Sequence, residues 1–256
     1  CTSLIQLKLG YWQDKNLEKL SNFTNLTELN VKESDQLLNI FGIEKLTNLT
    51  KLRLVNCVSL ETVFGIENLT NLIELFIDYK NDSVNLLSNL TKLTKLSFGV
   101  CYRLKNVDGL STLTKLSELH LLNCFSLQDI NGISNLRNLT KLHLSFCSNL
   151  NINGLTNLTR LSELYLSRCD RLDNTYVFEN FTNLQKLSLE SCYKLENING
   201  LSKLTKLTLL DLTLCDSIQN VDKLSKLKRL KDLRLPKNIN TLALENKKLN
   251  IYKLDK

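Results

Sequence analysis

Leucine recurs along this chain at two interlocking intervals. Within short stretches it holds the first, fourth and sixth places, as in Leu49-Thr-Lys-Leu52-Arg-Leu54-Val-Asn-Cys57. The fourth and sixth places are a period-two pair. They send two side chains to one side of a short strand and leave the variable residues between them on the other. The stretch begins again at Leu4, Leu26, Leu49, Leu72, Leu93, Leu116, Leu139, Leu161, Leu184, Leu207 and Leu230, at spacings of 21 to 23 residues. Eleven copies therefore fill nearly the whole chain. Between strands a second apolar pattern returns the chain to the same core, as in Cys192-Tyr-Lys-Leu195-Glu-Asn-Ile198-Asn-Gly200-Leu201-Ser-Lys-Leu204. Gly42, Gly65, Gly109, Gly132, Gly154 and Gly200 share one place in that return, which implies a turn with positive φ or a close backbone approach. One such unit cannot bury its own apolar face, but a stack can. The pattern thus predicts parallel strands about 4.8 Å apart in one sheet.

These repeats resemble the leucine-rich-repeat family over about residues 1–238. The return Val63-Phe-Gly65-Ile66-Glu-Asn-Leu69-Thr-Asn-Leu72 is similar to bacterial internalin and phosphatase-regulator-type repeats. The Cys-x-x-Leu-x-x-Ile run is also similar to repeats of plant immune receptors and trypanosomatid proteins. The chain departs from the internalin pattern with Cys where Asn is usual, and from the plant pattern by lacking the prolines. The resemblance implies an α/β repeat solenoid, a right-handed superhelix with a parallel concave sheet and short 3-10 or extended convex segments. Residues 1–238 form the solenoid. After Pro236 the register breaks, with Leu242-Ala-Leu244 and Leu249-Asn-Ile251 at short intervals, so residues 239–256 read as a basic C-terminal cap or degenerate repeat.

Charge changes this picture only at that end. Residues 1–221 hold 22 basic and 22 acidic residues, and residues 222–256 hold 11 and 4, which gives the whole net charge of +7. A solvated basic cap explains this better than a nucleic-acid site, since only Tyr252 interleaves the basic residues. No apolar run reaches the roughly 18 residues of a membrane span, and no signal segment opens the chain. The absence of methionine suggests a piece of a longer protein.

Seven cysteines occupy one place, the ninth: Cys57, Cys101, Cys124, Cys147, Cys169, Cys192 and Cys215. A regular column reads as inward packing by reduced thiols that stand in for the family's Asn ladder. Reduced thiols point to the cytoplasm. The alternative is a secreted or cell-surface protein of internalin type, whose thiols would oxidise. His120 and His143 share the outward fifth place on neighbouring repeats, with rings expected about 5 Å apart. Two ligands make a weak metal site, so no metal and no cofactor are expected. No catalytic motif is present, and the chain reads as a non-enzyme. Nine Asn-x-Ser/Thr sequons, for example at Asn48 and Asn138, arise mostly because the repeat spells Asn-Leu-Thr.

The third place alternates in sign: Glu28, Lys51, Glu74, Lys95, Glu118, Lys141, Glu163, Lys186. On a parallel sheet each charge has opposite neighbours, which disfavours slips of one repeat. The fifth and eighth places vary freely and carry aromatics and Arg, the residue types of binding hot spots. The expected binding surface is Phe76, Tyr79, His120, His143, Phe146, Tyr165 and Arg168 on the concave face. The chain reads as a protein–protein interaction module. It serves alternatively as the sensor or substrate-recognition part of a larger enzyme or immune receptor, or as an adhesin.

Overall fold

The computed structural model describes residues 3–78, 80, 82–245 and 248–254. Twelve strands are found among them: β1 (Gln6–Gly10), β2 (Glu28–Lys32), β3 (Lys51–Val55), β4 (Glu74–Ile77), β5 (Lys95–Phe98), β6 (Glu118–Leu121), β7 (Lys141–Ser145), β8 (Glu163–Ser167), β9 (Lys186–Ser188), β10 (Leu209–Asp211), β11 (Asp232–Pro236) and β12 (Asn250–Leu254). They form one sheet in sequence order, every described pair parallel and each repeat in register with the next. Short 3-10 turns, such as Ile43–Lys45 and Asn153–Leu155, carry the chain back behind the sheet. This is the repeat-solenoid architecture that the resemblance implied.

The alternation holds strand by strand. In β3, Leu52 and Leu54 are buried while Lys51, Arg53 and Val55 face outward. Leucines of the returns, such as Leu46 and Leu49, complete continuous apolar layers shared between neighbouring repeats. The outward column at the third place pairs as its signs require. Lys51 lies 3.5 Å from Glu28, Glu118 lies 3.7 Å from Lys95 and 3.8 Å from Lys141, and Lys186 lies 3.2 Å from Glu163. Glu74 departs from the scheme and takes Arg53 at 3.7 Å. On the return side, the amides of Asn48 and Asn138 each donate to a carbonyl of the preceding repeat, Thr24 and Thr114, at 2.9 Å. Asn in these Asn-Leu-Thr runs is thus a clip between repeats.

The glycine column has two physical causes. Gly42 adopts φ +98 ahead of its 3-10 turn, a conformation that L side chains resist. Gly132 lies inside its turn, where an added Cβ would come within 2.3 Å of the Val107 carbonyl oxygen of the preceding repeat. The repeats stack too closely there for a methyl group.

The seven cysteines are buried, as their repeated place predicts, but the column is not wholly reduced. Cys101 and Cys124 are joined in a disulfide, with Cα atoms 4.8 Å apart. Neighbouring parallel strands bring equal places within bridging distance at every step. Repeat five differs in that Val100, before Cys101, lacks the left-handed conformation that Asn56, Asn123, Phe146 and Arg168 adopt at the same place. The bond corrects the expectation of a fully reduced column, and with it the argument for the cytoplasm. The remaining column thiols are free, and some play the ladder role expected of Asn: the Cys215 thiol donates to the Leu189 carbonyl at 2.9 Å.

Candidate functional site

Side chains at the fifth place must leave the core, because leucines on either side hold the inward phase of each strand. Phe76, His120, His143 and Tyr165 all face outward and are partly exposed. Three of them form a contiguous row across β6, β7 and β8. The His120 and His143 rings stand 5.8 Å apart and the His143 and Tyr165 rings 5.3 Å apart, centroid to centroid. Burial lowers the basicity of both imidazoles, so the row is neutral at pH 7. The Tyr165 hydroxyl donates to Glu163 at 3.2 Å, and burial together with that carboxylate raises its pKa. Phe76 does not join this row. Ser97 separates it from His120 in the register, and it lies instead under the Arg53 guanidinium, 4.4 Å from ring centre to Cζ. Tyr79 lies outside the described residues.

Phe146 and Arg168 belong to a second row, at the C-terminal ends of the strands. Both have positive φ, 57° and 54°, which bulky residues adopt at a cost of about 1–2 kcal/mol. That conformation breaks the strand alternation. The ninth residue then turns inward as Cys and the tenth turns out. Two aromatics at the tenth place are exposed, Phe125 at 48% beyond the left-handed Asn123 and Tyr102 at 47% in the repeat whose Val100 lacks that conformation. They extend the row: Tyr102 stacks on Phe125 at 5.7 Å, Phe125 meets Phe146 at 5.3 Å, and Arg168 covers Phe146 at 4.8 Å. The sequence reading missed Tyr102 and Phe125. Their signal was aromatics at one shared place in successive repeats, just after the cysteine.

The arrangement offers a cation-capped aromatic row beside a neutral His–His–Tyr row. No group of three or more metal-ligating side chains converges among the described residues, and none of their helices is long and apolar enough to cross a membrane.

The model of the BspA type leucine rich repeat region matches residues 73–196, in six copies. No curated protein matches the chain in sequence. Among solved structures, an internalin of Listeria monocytogenes is similar over 93% of this chain and 74% of its own, with TM-score 0.72 and 24% identity. The leucine-rich repeat domain of the type III effector XopL is similar over 84% of this chain and 70% of its own, with TM-score 0.56 and 21% identity. A plant peptide hormone receptor, solved in complex with RGF2, is similar over 91% of this chain and 51% of its own, with TM-score 0.50 and 17% identity.

Proposed function

Because the chain belongs to the leucine-rich-repeat family, with short internalin-like repeats, we propose that it is a protein-recognition module whose working surface is the outward face of the sheet over β5 to β8. The observation that carries this reading is the exposed run of Tyr102, Phe125, Phe146 and Arg168. Aromatic side chains and Arg, clustered on a rigid frame, supply large contact area at low entropic cost. An exposed apolar row along the C-terminal ends of neighbouring strands is the kind of patch that marks an interaction site. The sheet beneath is locked by register, so the partner meets a preformed surface.

The module works outside the reducing cytoplasm, secreted or at a cell surface. The Cys101–Cys124 disulfide and the internalin likeness support that placement. The module acts by binding and carries out no chemistry of its own.

Site-specific photo-crosslinking tests the face. A benzophenone side chain replaces Phe125, or Tyr165, or Tyr176, which is exposed in the 3-10 turn Tyr176–Phe178 behind the sheet. The expected result is one partner captured from positions 125 and 165 and not from 176. Capture of the bound partner from 176 alone would move the site to the opposite side.

A further inference from the structure

The outward face changes character towards its N-terminal end. Over β1, β2 and β3 a cavity of about 310 Å³ is lined by Lys8, Lys32, Lys51 and Arg53 against a single carboxylate, Glu28. Residues 1–221 as a whole carry no net charge, so this is a local concentration of cations. Lys51 and Arg53 are partly engaged, with Glu28 at 3.5 Å and Glu74 at 3.7 Å. Lys8 and Lys32 are exposed and form no ion pair among the described residues. In the lining of the same cavity the side-chain oxygen of Asn30 is buried and accepts no hydrogen bond among the described residues. A buried acceptor without a donor is a cost that a ligand can relieve.

We propose that this cavity receives an acidic side chain from an extended segment of a partner protein. The carboxylate lies among Lys8, Lys32 and Arg53, and the partly exposed Asn30 side chain turns its amide oxygen outward to accept a backbone N–H of the segment. The two demands select a peptide. A phosphodiester satisfies the cations and brings no donor of its own for Asn30. The nearest ring, Phe76, is already covered by Arg53, so no open aromatic face waits for a nucleobase. An Asp or Glu side chain, which holds its carboxylate a short tether from a backbone N–H, answers both needs at once. Arg53 also covers Phe76 on β4, so a segment seated in the cavity runs on toward the aromatic rows across Ser97. The inference deepens the recognition reading of this face and rests on it.

Fluorescence anisotropy with the full chain tests it, using a labelled octapeptide of alternating Glu and Ser and its Gln-for-Glu counterpart. The Glu peptide should bind at least about tenfold more tightly than the Gln peptide. Joint Lys8→Glu and Lys32→Glu reversal should abolish that preference, and Lys8→Gln with Lys32→Gln should reduce it. Glu28→Gln, which removes the only carboxylate of the lining, should tighten binding of the Glu peptide. Asn30→Ala should weaken both peptides by a similar factor. Lys228→Glu with Arg229→Glu, at the basic far end, should change nothing. Equal weakening by the far-end pair, or none by the Lys8 and Lys32 changes, overturns the proposal. So does tighter binding of poly-uridylate or phosphatidylserine vesicles that Lys8 and Lys32 control. If the Glu peptide shows no preference while crosslinks from Phe125 and Tyr165 persist, this proposal alone fails. If those crosslinks vanish while the preference persists, the aromatic site fails and the cavity stands.

Discussion

A thiol inside a leucine stack loses the hydration that a thiolate needs. Burial accordingly pushes Cys57 up to about 11 and Cys147 up to about 12 and raises Cys215, while Cys169 is raised first by its hydrogen bond with Cys192 and then by burial. Alkylation mapped by mass spectrometry should therefore miss Cys57, Cys147, Cys169, Cys192 and Cys215 in native protein and find them on denaturation. Cys101 and Cys124 should appear only after reduction as well. Their labelling in denatured, unreduced protein would contradict the disulfide. The inward column was legible because one residue type holds one place in many repeats. Which two members join was not, since that repetition makes every neighbouring pair equivalent in sequence. His120 and His143 respond to acid. Burial is the first cause of their lowered pKa, below the ordinary 6.5, and for His143 the second is His120 itself. The unfolded chain then binds more protons than the folded one as pH falls through about 6.5, so stability falls with it. Melting temperature should drop on acidification from neutrality, and a His120→Gln, His143→Gln variant should lose part of that drop. An identical acid profile in the variant would contradict the burial of the pair.

At the scale of the strand and its return, most of the structure could be read in advance. Leu52 and Leu54 fix the inward phase of β3, and the repeat of that pair fixes the register of the sheet. The sign alternation at the third place is the same statement written in charge. Glu118 shows what it contributes, because it faces Lys95 and Lys141 at once. Exposed pairs give about 0–1 kcal/mol each, so Glu118→Lys should cost about 1 kcal/mol in total. The loss should shrink in high salt, where exposed like charges are screened. A denaturant midpoint unchanged at low salt would mean that the column does not stabilise the register. What the pattern hid was the break at the end of each strand. The positive φ of Asn123 and Phe146 cannot be read from those residue types, and period-two counting stops being valid beyond them. Phe125 comes to the surface beyond that break, and Tyr102 holds the same place without it, which is why the aromatic row was only half foreseen. Phe76 lies on the expected face but outside the His–His–Tyr row for a simpler reason. Sharing a place with His120 does not make it a neighbour when the short Ser97 stands between them.

In the whole molecule, each repeat is held chiefly by its two neighbours, which leaves the ends as the vulnerable points. β12 pairs along all of β11, Leu244 is buried, and Lys253 donates to the Ile239 carbonyl at 2.9 Å. We propose that residues 239–256 close the stack. Their deletion exposes the edge of β11 and should lower the melting temperature and promote self-association on size-exclusion chromatography. A monomer of unchanged stability would refute the capping role. The central claim concerns the outward face of the middle repeats, where rigid frame and variable surface meet. Phe146 and Tyr165 sit there as partly exposed rings in contact with other side chains, and contribute little to the leucine core. The alternative is that they merely tile the sheet through cross-strand packing. Alanine at both positions, with partner affinity and melting temperature measured on the same preparation, separates the two. Recognition predicts affinity at least about tenfold weaker with the melting temperature nearly unchanged. A lowered melting temperature with affinity intact would contradict it.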